Sequence, residues 1–286
     1  MTTAWNRWGA DDELGALNLI DAEHVRRAAG LVRTGEVVSL AQTISPGMLV
    51  PAHRPGVMHF MNRDGGDYAA GASRTGGFQF AEDTVVMPLH VGTHLDALCH
   101  CWYDDELYNG HPGNLVRSQG AARLGVEKIS PIVSRGVLLD FVVDGEGLPD
   151  GTEITPAMID LALTRAGIEL EKGDAVLLRT GWLERQTDTA DFNREPGLNV
   201  AAARLLAEAD VALVGADNFA IEAMPFPEDT IFPVHQLLIR DFGVPLLEGL
   251  VLRKLADSGA TAFLFVAAPL PIEGGTGSPL VPVAVL

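Results

Sequence analysis

The stretch from residue 90 to residue 100 is the sequence feature that most restricts what this chain can fold into. It holds three of the eight histidines and one carboxylate, and it reads His90-Val91-Gly92-Thr93-His94-Leu95-Asp96-Ala97-Leu98-Cys99-His100. Imidazole and carboxylate side chains bind metal ions when several of them converge. We therefore interpret the stretch as a metal site; the plainer alternative is a loop of unrelated polar residues.

The spacing of these side chains requires a bend in the backbone. On an extended strand all four potential ligands would point to one face, because even numbers of residues separate them. A straight strand would still hold His90 and His94 ~13 Å apart, whereas ligands bind one ion at ~2.0–2.2 Å. Gly92 can supply the bend, since glycine tolerates backbone angles that a side chain forbids. We expect a bent strand. The alternative is a helix with His90 and His94 one turn apart, which Gly92 and the preceding Thr84-Val85-Val86-Met87 disfavour.

Length and charge limit the possible classes of function. The 286 residues can form a large core, and a hydrophobic fraction of 47% indicates a packed globular protein. The formal net charge of −18 would repel a nucleic-acid backbone or an anionic membrane. The N-terminal sequence lacks a basic leader with a long apolar run, so we expect a cytoplasmic protein without a membrane span. Cys99 and Cys101 are too close for an ordinary disulfide and are expected to be reduced packing residues.

The first third of the chain is predicted to contain an arm and an insertion. The arm covers about residues 1–20 and is of a kind that often docks on a neighbouring subunit. Asp21 is a plausible N-cap for a helix that Gly35 ends, and a strand is expected over residues 37–44. Residues 45–80 show neither helical nor strand periodicity over most of their length. We expect them to form a long loop insertion, either a lid or binding loop or a mobile excursion.

The rest of the chain alternates strands with helices. Strands are expected at 137–143, 175–179, 211–215, 262–266 and 280–286, and helices from Thr155-Pro156 to Gly167 and over 201–209. This alternation predicts an α/β fold with a mixed sheet or barrel-like core and flanking helices. We find no repeat or linker, so a single domain over residues 1–286 is the simplest expectation.

Further candidate site residues lie outside the histidine stretch. His235 and Glu248 are ionisable side chains in apolar runs, which is costly unless they are paired or coordinated. Each alone is more often a satisfied core group, but together they are candidate metal ligands. Trp102, Tyr108 and Trp182 are candidates for the walls of a pocket for a flat substrate. For Trp102 and Tyr108 the alternative is an acidic surface turn with packed aromatic rings.

The histidine stretch resembles the H-x-G-T-H-x-D-x-P-x-H signature of the metal-dependent cyclase family, which includes bacterial kynurenine formamidase and isatin hydrolase. Later segments resemble further blocks of that family in the same order; they are 177–182, 215–222 and 235–248. Leu98 stands where the family has proline. We expect this difference to leave the ligands intact and to change the shape of the turn that aims His100.

The resemblance implies a swivelling β/β/α fold, usually in a dimer or tetramer, with a hydrolytic metal centre. By similarity, the metal ligands are His90, His94 and Asp96 for a first ion, and Asp96, His235 and Glu248 for a second. His100 would be the general acid/base; a ligand role for it is the alternative. Imidazole and carboxylate ligands suit zinc and also manganese, and one or two ions per chain are possible.

These features together predict a metal-dependent hydrolase acting on a small molecule. The expected reaction cleaves a C–N bond of an amide, aryl formamide or lactam with water activated by the metal. His100 suits proton transfer because histidine titrates near neutral pH. A lactonase or a non-hydrolytic lyase on the same scaffold is the nearest alternative, and a catalytically silent metal-binding oligomer is another. The sequence contains no serine-hydrolase G-x-S-x-G motif, phosphate loop or dinucleotide fingerprint.

Overall fold

A computed structural model describes residues 3–186 and 191–286. Its strands are β1 (Val37–Ser39), β2 (Met58–Arg63), β3 (Glu82–Val86), β4 (His94–Asp96), β5 (Val116–Arg117), β6 (Gly120–Ala121), β7 (Ile132–Asp140), β8 (Glu153–Ile154), β9 (Ala175–Arg179), β10 (Gly197–Leu198), β11 (Leu213–Ala216), β12 (Leu246–Glu248), β13 (Ala262–Ala267), β14 (Gly277–Pro279) and β15 (Val283–Val285). Its α-helices are α1 (Ala22–Ala29), α2 (Gly65–Ala69), α3 (Pro156–Ala166), α4 (Trp182–Arg185), α5 (Val200–Glu208), α6 (Pro233–His235) and α7 (Arg253–Asp257). A π-helical segment, Gln236–Asp241, continues α6.

Nine of these strands form one mixed sheet in the order β1-β15-β13-β7-β9-β11-β12-β4-β14. The central strands β7, β9, β11 and β12 are parallel, and helices α3, α5 and α6 lie in the crossovers between them. The strands at both edges of the sheet pair antiparallel. At one edge β15 pairs with β1 and β13, and β13 pairs with β7. At the other edge β4 pairs with β12 and with β14. The prediction of an α/β fold with a mixed sheet and flanking helices is confirmed.

Local sequence explains the central elements. Every residue of β9 is buried, as expected for a parallel strand covered on both faces. Pro156 opens α3, where its missing N–H breaks no helical bond, and Gly167 follows the helix with φ +66°. The Asn199 side chain accepts a 2.9 Å hydrogen bond from the Ala202 N–H and thereby caps α5. The sequence therefore determines where these elements begin and end.

The N-terminal arm packs on its own chain. The Trp5 indole N–H donates to the Arg240 carbonyl at 2.9 Å, and the Arg7 guanidinium binds the Asp210 carboxylate. The arm covers the end of the helical segment that begins at α6. Docking of this arm on a neighbouring subunit stays a prediction.

Three sequence expectations are wrong in detail. The first helix ends at Ala29, before Gly35, and the strand expected over 37–44 is only β1. The insertion at 45–80 contains β2 and α2, and β2 pairs with β3 as an antiparallel hairpin. All residues of β3 and nearly all of β2 are exposed. Because neither face of the hairpin is buried, its residues carry no alternating hydrophobic pattern that could reveal a strand.

One observation concerns membranes. In the parts of the chain that the structure describes, no helix is long and apolar enough to cross a bilayer. The single-domain expectation stays a prediction, although the nine-stranded sheet draws strands from both ends of the chain.

Candidate metal centre

The histidine stretch is a sharp turn that leads into a short strand. Residues 90–93 form the turn, and β4 carries His94 and Asp96. Gly92 has φ +61°, and a Cβ at this position would lie 2.7 Å from Cε of Met48. The bent strand expected from the spacing is confirmed, and the helix alternative is excluded. The bend returns the His90 ring to Asp96, with Nδ1 2.6 Å from Oδ1.

Sheet register brings Glu248 to this turn. In the antiparallel pair of β4 and β12, Glu248 lies directly opposite His94. Side chains on directly opposed residues have Cβ atoms about 4.5–5.5 Å apart, so the two side chains meet on one face. Gly249 follows with φ +64°, and a Cβ there would lie 2.6 Å from the Gly92 carbonyl oxygen. Both turns thus need glycine for their close approach.

His235 reaches the same place from the start of the helical segment at α6. Its Nδ1–H donates to Oε1 of Glu222 at 2.7 Å. The same carboxylate accepts the backbone N–H groups of Val234 and His235, each at 3.0 Å. Glu222 therefore caps the helix and fixes the imidazole tautomer, which leaves Nε2 free to bind a cation.

The side chains of both chain segments converge on a single buried cluster. The spacings are 3.1 Å for His94 Nε2 to Glu248 Oε2, 3.6 Å for His94 Nε2 to Asp96 Oδ1, 3.2 Å for His235 Nε2 to Glu248 Oε1, 3.8 Å for His235 Nε2 to Asp96 Oδ2, and 4.0 Å for His100 Nε2 to Asp96 Oδ2. The structure thus brings together all five predicted ligands and His100.

Three polar atoms of this cluster fit a metal ion. His94 Nε2, Asp96 Oδ2 and Glu248 Oε1 are buried and have no hydrogen-bond partner among the described residues. His94 Nδ1–H donates to the Gly92 carbonyl at 2.9 Å, so the lone pair of Nε2 points into the cluster. Buried polar atoms without partners are costly, and a cation between them would remove that cost. Nitrogen and carboxylate oxygen donors in this arrangement are typical of zinc and manganese sites.

The protonation of the cluster supports the same fit. Burial alone disfavours charge on every one of these groups, but their opposite charges outweigh it. The facing imidazoles of His235 and His94 lower the pKa of Glu248. Glu222 and then Glu248 raise the pKa of His235, and Glu248 raises that of His94. Without an ion, the carboxylates therefore hold protons on the imidazoles. A divalent cation would replace those protons, as metal binding does elsewhere.

His100 differs from the other histidines. Its ring stacks on His90 at a centroid distance of 4.0 Å and is partly exposed. Burial together with the neighbouring His90 and His235 lowers the pKa of His100 to about 4, against the opposing charge of Asp96. An imidazole that is neutral at pH 7 can accept a proton.

The distances sort the candidate donor atoms into two groups that differ from the two ligand sets implied by the family resemblance. His90, Asp96 and His100 form one group with donor atoms within 4.8 Å of one another, and His94, Asp96 and Glu248 form another. Asp96 belongs to both groups, which suits a bridging carboxylate. The distribution of ligands between two ions, and the choice between acid/base and ligand roles for His100, stay predictions.

Threonine and leucine side chains hold the cluster in place. The Thr93 hydroxyl donates to the Gly249 carbonyl at 2.7 Å and accepts from the Gln42 N–H, and Thr276 contacts His90 Nε2 at 2.9 Å. Leu98, in the position of the family proline, is buried in the core. The turn that presents His100 is closed by its backbone N–H on the Ala97 carbonyl at 2.9 Å. Of these supports, Gln42 and Thr276 lie outside the motif that the sequence singled out.

A cavity with aromatic walls adjoins the cluster. Its lining includes Gln42, Leu49, Pro51, Val91, Gly92, Trp182, Phe192, Asn218, Phe219 and Gly249. Trp182, Phe192 and Phe219 form a row with ring centroids 5.5 and 5.3 Å apart, and Phe219 lies 6.0 Å from the ring of His94. The row leads from the cavity to a candidate ligand. Neither phenylalanine was predicted to line a pocket, although Phe219 lies within the 215–222 segment that resembles a family block.

The three predicted pocket residues have different locations. Trp182 lines the cavity. Tyr108 is fully buried, and its hydroxyl donates to Asp12 at 3.1 Å, so it packs the arm against the core. Trp102 is 39% exposed and lies beside Gly113. The structure therefore does not bring Trp102 and Tyr108 together with Trp182.

Comparison with known proteins places this geometry in a family. The sequence profile described as putative cyclase matches residues 38–223. An isatin hydrolase from Roseibium aggregatum is 31% identical over 216 residues, which are 70% of this chain and 73% of that protein. The region that the profile matches contains the histidine turn, β4 and Glu222, and ends before His235.

Solved structures extend the likeness to the remainder of the chain. The crystal structure of a novel cyclase superposes with a TM-score of 0.93 and 38% identity, covering 100% of both chains. Isatin hydrolase A from Labrenzia aggregata bound to benzyl benzoate superposes with a TM-score of 0.65 and 25% identity, covering 90% of this chain and 94% of that one. The profile match covers well over half of the sequence, and the chain belongs to the putative cyclase family.

Proposed function

We propose that the protein is a metal-dependent hydrolase that cleaves a C–N bond in a small amide, aryl formamide or lactam. The main support is that His94 Nε2, Asp96 Oδ2 and Glu248 Oε1 converge in one place. All three atoms are buried and have no hydrogen-bond partner among the described residues. A cavity with aromatic walls lies beside them. The similar proteins named isatin hydrolase support a hydrolase, since the activity in their name is hydrolytic.

The centre would hold one or two divalent ions, zinc or manganese. The residues that would bind them are His90, His94, Asp96, His235 and Glu248. When bound, such an ion lowers the pKa of water to about 7 and polarises a carbonyl oxygen. Asp96 is suited to bridge two ions because it lies within reach of both groups of donor atoms.

The chain's own residues would supply binding, orientation and proton transfer. Glu222 holds the His235 tautomer, so that Nε2 faces the cluster. The row from Trp182 to Phe219 provides flat apolar surface for an aromatic substrate and excludes water from its ring. His100, neutral at pH 7, can take a proton at Nε2 and deliver it to the leaving nitrogen.

Metal content and turnover test this proposal together. We expect His94→Ala and Asp96→Ala to lose bound metal by elemental analysis, because each removes a buried donor atom. His100→Ala should keep its metal and lose hydrolysis of aryl formamides and lactams. His53→Ala is the matched control, since His53 is an exposed histidine outside the cluster.

Two results would contradict the proposal. Equal metal content in all four variants would remove the ligand assignment, and a metal-loaded wild type without turnover of any amide or lactam would remove the C–N hydrolase. The lactonase and lyase alternatives share the same centre. Lactones, aryl esters and dehydration substrates therefore belong in the same assay, and preference for one of them would replace the amide assignment.

We also propose that the protein forms a homodimer or homotetramer through the β2–β3 hairpin. Met58, Phe60 and Val85 on this hairpin are each about half exposed. A two-stranded hairpin is marginally stable when nothing covers it, so a second copy is a fitting cover. We expect light scattering to show an oligomer that Phe60→Asp disrupts, whereas Asn62→Asp on the same strand leaves it intact. A monomeric wild type would refute this assignment.

A further inference from the structure

Arg54 connects the insertion to the metal centre. It lies before β2, and its Nη1 donates to the carbonyl oxygen of His90. Its guanidinium lies over the ring of Phe219, with Cζ 4.6 Å from the ring centroid. Phe219 is also the aromatic residue nearest to His94 in the cavity row. A cation from the insertion is thus placed between the aromatic cavity and the candidate ligands.

The position of this cation is held from both sides. The Phe219 backbone N–H donates to Oε2 of Glu195 at 2.8 Å, which fixes the loop beneath the guanidinium. Leu49 and Pro51, from the segment that precedes Arg54, line the cavity beside Phe219. The Phe219 ring and the His90 carbonyl therefore hold Arg54 next to this wall of the cavity.

Arg54 differs from the other shielded arginines. Arg135, Arg179 and Arg240 each bind carboxylates at 2.7–3.0 Å. Arg54 forms no ion pair with any of the described residues, although it is buried enough for its pKa to be lowered. An arginine side chain stays charged in proteins and has five N–H donors. The His90 carbonyl takes one of these donors, so the others remain for a ligand.

The ligand that fits combines a flat ring with a carboxylate. Trp182, Phe192 and Phe219 give the cavity a flat apolar wall against which the ring of such a ligand would pack. The planar guanidinium matches the two oxygens of a carboxylate, which is the geometry of bidentate arginine pairs. Asp96 and Glu248 would repel such an anion if the centre held no cation, so Arg54 and the metal would act together.

We propose that Arg54 is the anion-binding residue of a subsite for aromatic carboxylates beside the metal centre. This rests on the proposed function and narrows its substrate class. The carboxylate is either part of an acidic aryl substrate or the acid that hydrolysis liberates. Arg54 then determines specificity through binding, while the reaction itself takes place at the cluster.

Calorimetric binding of benzoate and benzamide tests the subsite without turnover. We expect Arg54→Met to weaken benzoate binding about 10-fold or more, which is the range for a lost charge-assisted pair, while benzamide binding changes little. Arg54→Lys, which keeps the charge but not the planar fork, should be intermediate. Arg74→Met is the matched control, because Arg74 stacks on Phe80 in the same insertion but is exposed.

Measuring turnover of amides and lactams beside the titration, on the same metal-loaded protein, separates this inference from the proposed function. If Arg54→Met weakens benzoate binding but the metal-loaded wild type turns over no amide or lactam, the subsite survives and the hydrolase fails. Equal benzoate binding by wild type and Arg54→Met overturns the subsite. An equal loss of benzamide binding also overturns it, since the residue would then only shape the cavity.

Kinetics distinguish the two sources of the carboxylate. If the substrate carries it, Arg54→Met raises KM for a carboxyl-bearing aryl formamide and leaves KM for the neutral parent compound unchanged. If hydrolysis of a lactam liberates it, KM for the neutral lactam stays constant and product inhibition by the ring-opened aryl acid weakens. Unchanged KM values and unchanged product inhibition would refute a role in either.

Discussion

The variant Glu222→Gln tests whether a residue that is not itself a ligand supports the metal centre by holding His235. Glu222 accepts three hydrogen bonds, from Nδ1 of His235 at 2.7 Å and from the Val234 and His235 backbone N–H groups at 3.0 Å. Glutamine has the same shape, but its amide nitrogen must face at least one of these donors. The variant therefore loses a hydrogen bond to a charged acceptor, which costs about 1.5–3 kcal/mol.

The loss should appear mainly as weaker metal binding. His235 can offer Nε2 to an ion only while Nδ1 keeps its proton, and Glu222 enforces that tautomer. Substitution of a carboxylate that supports a metal-binding histidine typically lowers metal affinity about 10–100-fold. Competition titration of zinc or manganese against a chelator measures this change, and circular dichroism establishes that the variant is folded.

Glu195→Gln is the matched control. Glu195 is also buried and accepts two backbone N–H groups, but it contacts no histidine, and its Oε1 has no partner among the described residues. Burial raises its pKa well above the ordinary value, so the neutral glutamine changes little. We expect metal affinity within about twofold of wild type, below the ~10-fold effect of a supporting carboxylate. Wild-type affinity in Glu222→Gln, or an equal loss in Glu195→Gln, would refute the reasoning.

Two stability predictions concern the turn and the arm. Gly92→Ala should cost about 1–3 kcal/mol in urea unfolding, because Gly92 has φ +61°, and wild-type stability would show that the bend tolerates a side chain. Asp210→Asn should cost about 0.5–1 kcal/mol at pH 7, because its pair with Arg7 is partly exposed. The hydrogen bond from Arg7 lowers the pKa of Asp210 below its ordinary value of 3.8. The pair therefore stabilises the fold above that pH, and the difference between variant and wild type should shrink as the pH falls below it. A constant difference down to pH 2 would contradict this assignment.

Much of the sheet could be predicted because its central strands are buried on both faces. Strand β9 and helix α3 agree with the expected positions, since an apolar run, a first-turn proline and a terminal glycine are local signals. The β2–β3 hairpin could not be predicted, because its exposed residues follow no burial pattern. The packing of the N-terminal arm on its own chain also escaped prediction, since its bonds to Arg240 and Asp210 join residues far apart in sequence.

The candidate metal centre, too, could be predicted from the sequence only in part. The spacing from His90 to Asp96 already required a bend at Gly92, because a backbone of fixed length cannot otherwise bring these side chains to one ion. Only the tertiary structure places Glu248 opposite His94, since the register of β4 and β12 depends on the whole sheet. The same holds for Glu222 on His235 and for Arg54 on the carbonyl of His90. Local sequence determines which residues can bend or coordinate, whereas long-range packing decides which of them meet.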